Sequence, residues 1–190
     1  MSWFGDIGRM LGLGSTAGFR PSLTLAIIAV MSNLGWGAGV DPALGFLSHP
    51  VAVVIFVSFA IFESAFDKVP KVDRLQDRLT MPYRVLCGAV AGAALVGEGT
   101  TGLVAGALVG GLAAWLALRS KHESRPRSTS SEAVVPMLSL GEDLLVFGGT
   151  ALTVMWGWVG YIVFAIALIM HARRRLARRR KYRRLRTHRV

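Results

Sequence analysis

The sequence predicts an all-α fold: a polytopic membrane protein, a bundle of six transmembrane helices with both termini in the cytoplasm. Three observations predict it. Of the 190 residues, 53 % are hydrophobic and only 17 % are charged, whereas a soluble domain carries about a quarter. Six apolar segments recur, at 21–38, 49–66, 82–97, 100–118, 134–154 and 156–172, and about 20 residues of helix cross ~30 Å of hydrocarbon. Basic residues then alternate with their absence from one loop to the next. The same composition excludes extended disorder and a disulfide scaffold, since Cys87 is the single cysteine.

Residues 1–17 come first. They lack the basic start, dense apolar block and small-residue cleavage site of a signal peptide. Trp3, Phe4, Ile7, Met10 and Leu11 recur at helical spacing, which predicts an interfacial segment lying on the membrane surface. Residues 18–172 hold the six spans. Spans three and four are short, which implies tilt or a locally thin membrane. The apolar stretch from Val134 to Met170 is too long for one crossing. Gly148-Gly149 and Trp156-Gly157-Trp158 offer a break near its middle, with tryptophan at interface depth.

The loops support the count. Residues 39–48, the GEGTT turn and the turn between spans five and six carry no Lys or Arg. Lys68, Lys71, Arg74 and Arg78 follow span two, Arg119, Lys121, Arg125 and Arg127 follow span four, and a basic tail follows span six. The positive-inside rule then places both termini in the cytoplasm.

The informative residues are charges at membrane depth. Arg20 opens span one, Glu63 and Asp67 end span two, Arg84 opens span three, and Glu142 and Asp143 lie inside span five. The last two sit about 12 Å past the apolar start, at 1.5 Å per residue. All fall in the half nearer the basic loops. A charge in hydrocarbon costs about 3 kcal/mol or more unless paired or hydrated, so these side chains are expected to converge inside the bundle. Two arginines against four acids leave an excess of acid, which Lys68 reduces. Excess acid in a low dielectric binds a cation, holds a proton or contacts water. Glu63 and Asp67 share a helix face at i,i+4, and Ser139 stands three and four residues before Glu142 and Asp143. Two readings stand side by side. One is a proton or cation site formed by Arg20, Glu63, Asp67, Lys68, Asp73, Arg84, Ser139, Glu142 and Asp143. The other is a fixed salt-bridge core that holds the bundle in register.

Gly88 and Gly92 are four apart, as are Gly102, Gly106 and Gly110. Small residues at this interval let helix backbones approach closely in lipid, either within the hairpin of spans three and four or across a homodimer or other homo-oligomer axis. Residues 173–190 form a basic cytoplasmic tail. Residues 171–190 carry 11 Lys or Arg and no acid, and the remaining 170 residues balance to zero. Arg173, Arg174, Arg175, Arg178, Arg179, Arg180 and Lys181 follow a membrane span directly. They read as binding anionic lipid headgroups, at about 1 kcal/mol per residue near the surface, or a protein partner, ahead of nucleic acid.

Enzyme chemistry is not expected. His49, His122, His171 and His188 have no metal-ligand spacing, no Gly-x-Ser-x-Gly occurs, and GLVAGALVGG lacks the Lys-Ser/Thr ending of a phosphate loop. No metal and no cofactor is expected either.

The run FESAFDKVPKVDRL at 62–75, with its Glu-x3-Asp-Lys-[Ile/Val]-Pro-x2-Asp pattern, resembles that of the uncharacterised prokaryotic membrane family called domain of unknown function 4126. AGFRPSL at 17–23, MPYRVLCGA at 81–89 and SLGEDLL at 139–145 resemble its other motifs. The likeness covers about residues 15–150 and departs at Ala133–Pro136, where a Gly-Asn-Pro-like turn is expected. Its pattern falls on Gly18, Arg20, Glu63, Asp67, Lys68, Pro70, Asp73, Arg84, Glu142 and Asp143. The resemblance implies a multi-pass inner-membrane protein and no particular reaction. The leading expectation is a small transporter or channel-like protein; the alternative is an accessory membrane protein with a fixed charge core.

Overall fold

Proline and glycine punctuate this chain. The computed structural model describes residues 3–37, 39–66, 81–96, 99–124 and 134–187, and every regular element among them is helical. The α-helices are α1 (Trp3–Phe19), α2 (Pro21–Asn33), α3 (Pro50–Phe66), α4 (Met81–Ala94), α5 (Thr100–Ser124), α6 (Val134–Met155) and α7 (Val159–Thr187), with a 3-10 segment at Pro42–Ser48. Pro21, Pro42 and Pro50 each stand at a first helical position, where the missing N–H costs nothing. At the far end of α2, Gly35 takes a positive φ of 68°. The Trp36 N–H returns to the Met31 carbonyl at 2.8 Å, the closing bond of a helix stop that favours glycine. Asp41 caps the 3-10 segment by accepting from the Ala43 N–H at 2.9 Å. Its own N–H donates to the Ala94 carbonyl, which ties this link to the end of α4.

The six apolar segments each coincide with one of α2 to α7, and the break between the last two falls at Trp156–Trp158. Gly148 and Gly149 lie inside α6 instead. Among the described residues, Thr100–Ser120 is long and apolar enough to cross a membrane by itself. Pro42–Ser48 and Pro50–Ala65 qualify only as a pair, bent by 65° at the break between them.

The first seventeen residues depart from expectation. Residues 3–19 are not a surface segment but the helix α1, which packs against α4, α5, α6 and α7. Its residues from Gly12 to Phe19 are all buried. The reason is a glycine pattern. Gly8 faces the Gly157 backbone, Gly12 faces Gly160, Gly14 faces Gly110, and Gly18 faces Ala114. At Gly14 an added Cβ would overlap the Gly110 backbone, so α1 seats against α5 only because neither helix has a side chain there.

Registry between neighbours fixes direction. Gly14 and Gly18 of α1 meet Gly110 and Ala114 of α5 in rising order, so these two helices run parallel. Gly88 and Gly92 of α4 meet Gly110 and Gly106 in falling order, so α4 runs against α5. On α2, Ser22 reaches Glu63 near the end of α3, and Ser32 reaches Ser48 just before its start. Thus α1 runs down to Arg20 and α2 runs back, as a hairpin that turns within the bundle at the fully buried Arg20. The start of α1 lies beside the Trp156–Trp158 turn, where the Tyr161 hydroxyl donates to the Phe4 carbonyl at 2.8 Å. α7 runs away from that turn. The two ends of the described chain therefore lie at opposite ends of the bundle, not at the same end as the loop charges predict. The loop rule reads only how α2 to α7 alternate; α1 adds one more reversal that its short length and low charge conceal.

Candidate functional site

The break between α1 and α2 is one residue wide. Arg20 takes φ −141° and ψ 85°, and Pro21 follows it. The residue before a proline is pushed from helical into extended backbone, so Arg-Pro ends one helix and starts the next. A helix end inside a bundle carries unmatched backbone groups: carbonyls where α1 stops and N–H groups where α2 begins. Side chains from two other helices, α3 and α4, fill these roles.

Arg84 of α4 is fully buried. Its Nη1 donates to the carbonyl of Phe19, with that of Gly18 3.4 Å away. A cation thus sits at the negative end of α1, where the helix dipole favours it. Glu63 of α3 takes the complementary position. Its Oε2 accepts from the Ser22 N–H at 3.2 Å, at the positive end of α2. Arg84 and Glu63 then face each other, Nη2 to Oε1, at 3.5 Å. The Ser22 and Tyr83 hydroxyls are 3.2 Å apart on the same side.

Arg20 itself turns to α6. Its Nε lies 2.8 Å from Oδ1 of Asp143. Arg20 is fully enclosed, whereas the Asp143 side chain is 25 % exposed. Adjacent Glu142 is buried, at 7 %. The site thus gathers two guanidinium groups and the carboxylates of Glu63 and Asp143 from α3, α4, α6 and the hairpin tip, with Glu142 buried next to Asp143 in the chain. Among the described residues, no three acidic, histidine or cysteine side chains converge closely enough to cage a metal ion. Glu63 and Asp143 are held by different arginines.

Arg20, Glu63, Arg84, Glu142 and Asp143 all belong to the bundle interior near one end. Asp67, Lys68 and Asp73, with Pro70, lie outside the described residues. Ser139 is within α6, one turn before Glu142 and Asp143. Gly88, Gly92, Gly106 and Gly110 meet at the α4–α5 crossing within the one chain, and Gly102 lies on α5 two turns before Gly110. Arg173 is exposed on α7, and the backbone of α7 carries Arg174, Arg175, Arg178, Arg179, Arg180 and Lys181 in continuous helix. Sequence reasoning missed Ser22, Tyr83 and the carbonyls of Gly18 and Phe19. The signal for the last two was present in the dipeptide Arg20-Pro21 and in five glycines between residues 5 and 18.

The profile of the family described as domain of unknown function 4126 matches residues 7–175. The matched region begins within α1, so the hairpin belongs to the shared domain. No curated protein and no solved structure matches the chain.

Proposed function

The chain belongs to the family described as domain of unknown function 4126, and from its own geometry we propose that it is a small integral protein of a prokaryotic inner membrane, transporter- or channel-like, with a proton or cation site at the tip of the α1–α2 hairpin. The carrying observation is the broken helix at Arg20-Pro21, whose two ends and flanking charges meet inside the bundle. Irregular backbone at membrane depth is tolerated only where it is enclosed by protein or lines a cavity, and discontinuous helices of this kind hold ions and substrates in transporters. Buried acids at membrane depth support the same reading. Among them Glu142 is buried on α6 beside Asp143. In this reading Glu142 carries the proton, while Glu63 and Asp143 stay with Arg84 and Arg20.

The basic segments agree with one orientation. α3, α5 and α7 run toward the end that carries the basic connections and tail, which the positive-inside rule makes cytoplasmic. The start of α1 then faces the outer side. The tail lies on anionic headgroups at the inner surface.

A second reading has its own observation. Each buried arginine has a carboxylate within 4 Å, as a fixed structural core requires. Proton flux in liposomes containing the purified protein separates the two. Glu142→Gln should keep the thermal unfolding profile of the parent and lose most of its flux. A folded variant with unchanged flux removes the proton role, and a parent with no flux under any gradient returns the cluster to a structural part.

A further inference from the structure

A groove in the described part of the molecule runs beside the charged cluster. It lies between α2, α3 and α6 and holds about 750 Å³, within the ~300–1,000 Å³ range of sites that take drug-sized molecules. Its walls are apolar: Ala26 and Val30 from α2, Ala60 and Ile61 from α3, Phe147 and Ala151 from α6. Trp36 stands at its outer end.

One helix face links this groove to the charges. Phe147, Ala151 and Met155 line it and recur every four residues on α6. The next position on that stripe, one turn toward the hairpin tip, is Asp143. The other walls end at the same level, at Leu23 beside Ser22 and at Ser64 beside Glu63. Of the charged pair at this end, Arg20 is wholly enclosed and Asp143 is 25 % exposed. The accessible charge of this pair, one turn beyond the groove on the same helix face, is therefore carboxylate oxygen and not guanidinium.

We propose that this groove is a binding site for a hydrophobic organic cation, with its apolar body between α2, α3 and α6 and its positive charge toward Asp143. The assignment rests on the transport reading and gives it a substrate class. The sign of the charge follows from which partner of the Arg20–Asp143 pair is accessible. The apolar requirement follows from the walls, where a polar ligand would lose hydration with nothing to replace it.

Tetraphenylphosphonium and tetraphenylborate test it, because they share shape and differ in charge. Binding to the purified full-length protein is read by quenching of Trp36, with Trp36→Phe as the background. The cation should bind and the anion should not. Asp143→Asn should weaken cation binding by roughly tenfold, the scale of a lost charge-assisted contact. Ala151→Phe, which narrows the groove away from any charge, should weaken it as well, and tests the site if Asp143→Asn fails to fold. Equal binding of both ions, or cation binding unchanged in a folded Asp143→Asn or Ala151→Phe protein, overturns the proposal. So does quenching of Trp36 by brominated phospholipid that the cation cannot displace, which would make the groove a seat for acyl chains. Cation binding without flux of any kind keeps the site and removes the transport reading. Glu142-dependent proton flux without cation binding does the reverse.

Discussion

Arg84 opens α4, yet its guanidinium closes α1, donating to the Phe19 carbonyl across 65 residues of sequence. The same side chain faces Glu63, whose other oxygen accepts from the first turn of α2. One ion pair therefore satisfies both ends of a broken helix. This explains why two charges can be enclosed at 0 % and 7 % exposure, where bare ions would be expelled.

Removing one partner should be worse than removing both. Arg84→Met leaves the Glu63 carboxylate and the Phe19 carbonyl without their cation, and a broken buried pair costs about 3–5 kcal/mol. Glu63→Gln in the same background should recover part of this loss. Unfolding of the single and double variants in detergent measures the coupling. Additive losses would mean that the two side chains do not interact.

Gly14 should tolerate no side chain. Gly14→Val would drive a branched carbon into the Gly110 backbone, and overpacking of this kind costs about 1–3 kcal/mol. Gly141→Ala is the control, because nothing lies within 4 Å of a Cβ built there. Its expected effect on thermal unfolding is neutral or slightly favourable, since alanine suits a helix better. A Gly14→Val protein as stable as the parent would mean that α1 does not seat against α5.

The start of α1 and the exit of α7 should be labelled from opposite sides of a membrane. Cys87 is buried, so a cysteine placed elsewhere reports alone. Trp3→Cys and Gly45→Cys, both at exposed positions, should react with an impermeant maleimide from the same side. Arg173→Cys should react only from the other. Reaction of Trp3→Cys and Arg173→Cys from one side would restore the topology that the loop charges alone predict.

Removal of residues 177–190 should reduce binding of the protein, held in uncharged nanodiscs, to anionic vesicles in a salt-dependent way. It should leave the thermal unfolding profile unchanged, because the helix packing described above involves residues before Leu176. Unchanged vesicle binding would remove the lipid role of the tail and favour a protein partner.

Much of the fold was legible because long apolar segments bounded by polar, Gly and Pro residues mark helices in the sequence itself. Each apolar segment from residue 21 onward became one helix. The charges expected to meet did so for Arg20, Glu63, Arg84 and Asp143, because an ion excluded from water has few places to go. Spacing did not reveal which acid each arginine takes. That choice depends on how α3 and α6 are rotated about the hairpin tip.

Sequence by itself determined the helical class, the six apolar segments, the family motifs and the residues of the charged cluster. All of these follow from local composition and period. Only the tertiary structure decided that residues 3–19 form an inner helix and that Arg20-Pro21 is a turn inside the bundle. It also decided that carbonyls of α1 serve as ligands. These depend on glycines whose partners lie up to about 150 residues away, and on backbone groups that every residue carries alike.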